Sequence, residues 1–302
     1  LGWIQIDHQT ADGNQFEFYR RGEWLTKERT GYDLNYGASS DHNTLALENG
    51  PPEHNEPGDY RNLLWRLGSQ WIYAPSGDPQ ILARSLSESF VYVLGDATAL
   101  YNSTYEGSLD MQHASRSLVW LKSDHIVVYD RAASRTAGRF KRFWLNLPAP
   151  AAIAGNRATM TTAAGQRLYV STLLPADASI RSEPAEILGG DVAAHEPMNF
   201  KLRVEAPGGP RTTRFLHVLQ GADPGGAAHP ATLVQSTAGT AFEGAVVNNT
   251  ATLFPVDLGA PFTSVTYSVP GGVTVQRITG LVPNTGYRVV TETVAGTTQV
   301  TI

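Results

Sequence analysis

Ser117-Leu118-Val119-Trp120-Leu121-Lys122-Ser123-Asp124-His125-Ile126-Val127-Val128-Tyr129 sets the fold class. Two runs of β-branched, aliphatic and aromatic residues flank three polar ones, the pattern of two strands joined by a short turn. Val91-Tyr92-Val93-Leu94 and Phe143-Trp144-Leu145 repeat it on either side, and Arg167–Ser171, Phe200–Val204 and Phe215–Gln220 continue it. Toward the start, Trp3–Ile6 and Phe16–Tyr19 alternate as strands do, and Arg21-Gly22 is placed to turn the second into Trp24-Leu25. Further short strands, Thr263–Val269 and Tyr287–Thr293, follow between Pro-Gly turns. No helix-period pattern of any length is present; Gln80–Phe90 is at best one short helix. The reading is all-β: a large antiparallel sandwich over residues 1–196 and a smaller one over 197–302, with a soft boundary near Pro197.

Composition agrees. Of 302 residues, 41% are hydrophobic and 17% charged, with 29 glycines and 18 prolines, which suits a folded, loop-rich β protein and excludes a disordered one. Cysteine is absent, so disulfides, thiolate metal sites and a cysteine nucleophile are excluded. A net charge of −5 argues against nucleic acid, and no apolar run is long enough to span a membrane. The chain reads as soluble, and its start inside a strand, without a leader, suits a processed fragment. Exposed sheet edges would tolerate a homodimer. Between about Gly31 and Ser89 lies Pro/Gly/Asn/Asp-rich sequence too long for a plain connection, and long loops on a β scaffold usually carry function.

The residues able to do chemistry lie before and inside that loop. Asp7-His8-Gln9-Thr10-Ala11-Asp12-Gly13 ends a strand, and reads either as a turn shaped by Asp12-Gly13 or as acid–base or metal chemistry at His8. Glu28-Arg29-Thr30-Gly31-Tyr32, then Tyr36 and Asp41-His42-Asn43-Thr44, add an imidazole, carboxylates and two phenols. They suit a His/carboxylate metal site or an imidazole–phenol acid–base pair, or else loop aromatics packed on the sheet and an Asx-turn at Asp41.

These segments, in order, resemble the β-sandwich portion of heparinase II/III-type polysaccharide lyases. The run from His8 through Thr10, Asp12, Phe16, Phe18, Tyr19, Gly22, Leu25 and Glu28 to Gly31 is similar to the opening of that domain. There a His-x-His-x-Asp motif precedes a Phe-containing strand, and a metal-binding Asp sits just before a Gly. His42-Asn43-Thr44 with Gly50 is similar to the family's His-Asn-Thr segment; Gly95–Thr98, Tyr101, Arg116–Leu118 and Asp130 resemble its middle, and Phe215–Gln220 its closing sandwich. The resemblance implies a secreted or periplasmic bacterial enzyme that performs β-elimination on an acidic, uronic-acid-containing polysaccharide. It implies as partner an upstream α/α toroid, domain or chain, that supplies the other half of the catalytic groups. His8 matches the catalytic His and Tyr36 the β-domain Tyr. Arg29, Asn43 and Arg116 are candidate substrate-binding residues. His42 matches a ligand of the family's structural zinc, and Glu28 stands where its Asp ligand stands. Thr10 replaces the central ligand His, and a neutral hydroxyl is a poor zinc ligand. Either His8 takes a ligand role, or the site is a hydrogen-bonded His/Glu cluster without metal.

Two other classes fit the residues: a non-catalytic carbohydrate-binding or structural sandwich derived from such a lyase, and a hydrolase drawing a carboxylate pair from Glu48, Glu53, Glu56 and Asp59.

Overall fold

The computed structural model describes residues 10–29, 38–49, 67–72, 75–186 and 195–302. Among them every named element is a strand except two single 3₁₀ turns, Ser39–Asp41 and Thr98–Tyr101, so the molecule is all-β. The quoted stretch forms the hairpin its sequence predicts. Met111–Leu121 pairs antiparallel with His125–Ser134 from Leu121↔His125 to Met111↔Ser134, with Lys122-Ser123-Asp124 as the turn.

This hairpin lies inside an eight-stranded sheet of order Gln80–Leu86, Phe90–Asp96, Met111–Leu121, His125–Ser134, Thr212–Ala222, Arg167–Leu174, Arg157–Thr161, Ala152–Ala154. A four-stranded sheet covers one face, in the order Ser179–Pro184, Phe200–Glu205, Lys141–Leu147, Leu45–Leu47. Its Phe143, Leu145, Leu147, Leu202 and Val204 pack on Ile126, Val128, Phe215 and Leu219. A seven-stranded sheet covers the other, where Ala245, Val247 and Phe254 meet Val127, Tyr129, Leu216 and Val218. Burial on both faces explains why Ile126-Val127-Val128-Tyr129 is continuously apolar instead of alternating. Each such side chain adds about 1.5–3 kcal/mol when fully buried.

The seven-stranded sheet folds on itself. Its order is Val275–Ile278, Thr250–Pro255, Phe242–Val247, Ala231–Gly239, Val265–Pro270, Thr297–Thr301, Val290–Val294. The strand Ala231–Gly239 pairs with Phe242–Val247 through its first half and with Val265–Pro270 through its second, across a bulge between Ser236 and Ala238. The two arms enclose Phe242, Leu253, Val265, Tyr267 and Val300. Near the end of the chain the Tyr287 hydroxyl accepts the Val282 N–H at 2.8 Å, a local tie of the tyrosine-corner kind.

Two expectations need correcting. The division near Pro197 does not match the strand pairing: Phe200–Glu205 pairs with Lys141–Leu147 and Thr212–Ala222 with His125–Ser134, so the passage between sheets falls after Ala222 and before Ala231. Gln80–Leu86 is not a helix but the edge strand of the large sheet, paired with Phe90–Asp96. Ile81, Leu82 and Leu86 are exposed there, and a strand exposed on both faces carries no alternation to read.

The hairpin Phe18–Arg20/Glu23–Thr26 closes one end of the core. Arg21 and Gly22 both have positive φ, 46° and 89°, as a type I′ turn requires. Phe18 and Leu25 are buried between the sheets. Arg20 pairs with Asp124 and Asp223 at 2.8 and 2.7 Å, and so fixes where the chain emerges toward Glu28.

Candidate functional site

Past Thr26 the chain runs beside the turn Ser39–Asp41, where the Arg29 N–H donates to the Asp41 carbonyl at 2.8 Å. The next residues are locked by buried amide and hydroxyl groups. Asn43 Oδ1 accepts from Thr26 Oγ1 at 3.0 Å and from the Asn146 N–H at 2.8 Å, while its Nδ2 donates to the Phe16 carbonyl at 2.8 Å. Thr44 Oγ1 donates to the Gly13 carbonyl at 2.7 Å. Three segments distant in sequence are thereby fastened around His42.

His42 is buried, and its Nδ1 lies 3.0 Å from Glu28 Oε2. That hydrogen bond, the largest influence on the Glu28 carboxyl, outweighs partial burial and holds its pKa below the usual range. An ionised carboxylate only accepts, so Nδ1 carries the proton and, in the neutral ring, Nε2 keeps its lone pair. That Nε2 is buried with no hydrogen-bond partner among the described residues. A carboxylate that fixes the tautomer and leaves Nε2 basic is the usual preparation of an imidazole for proton transfer or for a metal. Beside it, Thr10 Oγ1 donates to Asp12 Oδ2 at 3.0 Å. Burial pushes the Asp12 carboxyl up, with His42 the main charge opposing it.

Tetrahedral zinc takes four ligands. Here the Thr10 hydroxyl is directed at Asp12, and Glu28 stands behind His42 as its hydrogen-bond partner instead of beside it as a second ligand. Among the described residues no group of three or more His, Asp or Glu side chains could hold a metal ion. The described side chains do not by themselves complete a zinc site. His8 and Tyr36, the expected catalytic pair, lie outside the described residues.

The three expected substrate-binding residues are brought together, but as internal struts. Arg116 is 4% exposed, and its Nε and Nη2 grip Asp130 at 2.6 and 2.9 Å. Its Nη1 donates to the Asn14 and Asn43 carbonyls at 2.8 and 2.5 Å. With these donors engaged inside the protein, the group is not presented to a sugar carboxylate. Asn43 is fully buried and used as described. Arg29 is 3% exposed, donating to Asp41 Oδ1 at 2.8 Å and the Glu186 carbonyl at 2.7 Å. Asp41 also meets Lys201 Nζ at 2.8 Å, so one buried carboxylate joins the Glu28–Arg29 segment to the four-stranded sheet.

Sequence reasoning missed Lys201, and with it Trp144 and Arg203. Lys201 and Arg203 alternate with Leu202 and Val204, so a period-two reading places them on the sheet's outer face. Arg203 pairs in register with Trp144, and its guanidinium carbon lies 5.8 Å from the indole ring.

No protein-family model and no curated protein matches the chain. Solved structures match its fold. Heparan sulfate lyase HepC from Pedobacter heparinus superposes with a TM-score of 0.56 at 16% identity, over 83% of this chain and 37% of that one. A heparinase III gene product with methylated lysines gives 0.57 at 12% identity, over 80% and 35%. A further heparinase III structure gives 0.53 at 14%, over 82% and 36%. The chain thus spans little more than a third of the length of these enzymes, and at such identity the likeness is one of fold.

Proposed function

We propose that the chain is the β-sandwich portion of a larger polysaccharide lyase, secreted or periplasmic, which cleaves an acidic, uronic-acid-containing polysaccharide by β-elimination. The observation that carries this reading is the Glu28–His42 pair, an imidazole with its tautomer fixed, set on a scaffold whose fold is that of heparan sulfate lyases. In the elimination a base removes the C5 proton, the electron pair forms the C4–C5 double bond, and O4 departs with a proton from an acid. His8 and Tyr36 are the proposed proton carriers, and Glu28-held His42 supplies a further basic nitrogen. A cleft with one wall lacks the positioning and charge stabilisation that an enclosed site supplies, so full turnover calls for the helical domain on the other side.

The second reading, a binding module without catalysis, draws support from Thr10 and Asp12 being bonded to each other and from the burial of Arg29, Asn43 and Arg116. The hydrolase reading loses Glu48, which accepts the Phe140 N–H at 3.0 Å; Glu53, Glu56 and Asp59 lie outside the described residues.

The test offers alginate, glucuronan and glycosaminoglycans to this chain alone and joined to its helical domain, and follows unsaturated uronate. The joined protein is expected to release it, the isolated chain little or none, and His8→Ala to abolish it. Binding without product in the joined protein would overturn the lyase reading in favour of the second.

A further inference from the structure

The outer face of the four-stranded sheet carries a second set of groups that the elimination does not use. Trp144 and Asn146 alternate with core-facing Phe143, Leu145 and Leu147, so both point away from the core, with Lys201 opposite Asn146 and Arg203 opposite Trp144. Ser40, Trp144, Lys201, Arg203 and Glu186 are among the residues lining a cavity of about 220 Å³ there. This is smaller than the roughly 300–1,000 Å³ that encloses a drug-sized ligand, and suits one sugar unit of a chain lying across the face.

Two observations say that the cavity is built for a polar, anionic occupant. The first is unsatisfied hydrogen bonding. Trp144, which lines the cavity, has its Nε1 buried without a partner among the described residues. Folded proteins leave few buried polar atoms unpaired, and one in the wall of a cavity calls for an outside partner. The second is the state of the cations. Arg142 is held by Glu205 at 2.9 and 3.3 Å, and Lys201 by Asp41 at 2.8 Å. Arg203 stands 3.8 Å from both Glu183 and Glu205, beyond hydrogen-bond reach, with its side chain 20% exposed. Its planar donors are placed to take a carboxylate or sulfate in the two-pronged manner characteristic of arginine.

We infer that this face is a binding subsite for one anionic sugar unit of the polysaccharide, with Arg203 as the anion receptor and Trp144 as a hydrogen-bonding partner for the sugar. The inference rests on the acidic-polysaccharide reading and extends it to a site whose residues take no part in proton transfer. Through Asp41 the subsite is tied to Arg29, next to Glu28.

The experiment titrates the full chain with a glucuronate-containing tetrasaccharide, its carboxyl-reduced neutral form, and a sulfated carboxyl-reduced form, following indole N–H resonances; a Trp144→Phe variant identifies the Trp144 signal among the six tryptophans. The Trp144 resonance is expected to shift with an anionic probe, and the sulfated arm tells sulfate from carboxylate. Arg203→Gln, at a partly exposed position that leaves the fold intact, is expected to weaken the anionic probe about tenfold and to leave the neutral one unchanged. Absence of any shift in the parent, or equal binding by parent and Arg203→Gln, overturns the subsite whatever the joined protein does in the elimination assay. Arg203-dependent binding in a joined protein that forms no unsaturated product would instead overturn the lyase reading and leave the subsite standing.

Discussion

Replacing Arg116 by Met leaves Asp130, which is completely buried, without the guanidinium that grips it through two hydrogen bonds. It also strips the Asn14 and Asn43 carbonyls of their donor. Removing one partner of a buried pair costs about 3–5 kcal/mol, since a charge is left in a low-dielectric interior. For a chain of this size that is a drop in Tm on the order of 10 °C. Burial already pushes the Asp130 carboxyl up, with Arg116 the chief influence opposing it. Without Arg116 the folded-state pKa rises further above the unfolded one, so stability is lost as pH rises through it, and the deficit of Arg116→Met shrinks on acidification. Replacing Asp130 by Leu in the same protein should recover much of the loss. The assay is thermal unfolding of the two single variants and the double variant at neutral and acid pH. An Arg116→Met protein that melts with the parent but loses saccharide affinity would refute this reasoning and restore Arg116 as a substrate ligand.

Acid sensitivity follows from two buried histidines: burial lowers the pKa of His217 to about 3 and of His125 to about 4, from an ordinary 6.5. The unfolded chain therefore binds more protons than the folded one between about pH 6.5 and 4, so Tm should fall as pH drops through that window and His217→Met should flatten the curve; a pH-independent Tm there would contradict it. Asp41→Asn should cost about 3–5 kcal/mol, because Arg29 and Lys201 both meet that buried carboxylate at 2.8 Å. Glu205→Gln, which breaks a partly exposed pair with Arg142, should cost under about 1 kcal/mol. Equal losses in denaturant titrations would refute the distinction.

What the sequence revealed followed from local chemistry. Polar turns between apolar runs marked the hairpins, and the unbroken run Ile126–Tyr129 reflects a strand covered on both faces. The division near Pro197 was misplaced because Thr212–Ala222 belongs to the central sheet through partners 42 to 95 residues away, which no local pattern reports. The segment Gln80–Leu86 escaped because an exposed edge strand has no apolar stripe. At the site, residue type alone could not tell a buried strut from a ligand. The pairing of Arg116 with Asp130 was nonetheless within reach: they stand seven residues either side of Ser123, at the centre of the hairpin turn, and so face each other across it. Lys201 and Arg203 were equally readable from their alternation with Leu202 and Val204, but nothing near them in sequence names Asp41 or Trp144 as partner.

The central claim, elimination in place of hydrolysis, is tested most directly by digesting an acidic polysaccharide in heavy-oxygen water with the chain joined to the helical domain proposed for it, and weighing the product ends by mass spectrometry. Elimination predicts unsaturated ends that carry no solvent oxygen, and their loss in the His8→Ala form; saturated ends bearing one heavy oxygen per cleavage would contradict the account.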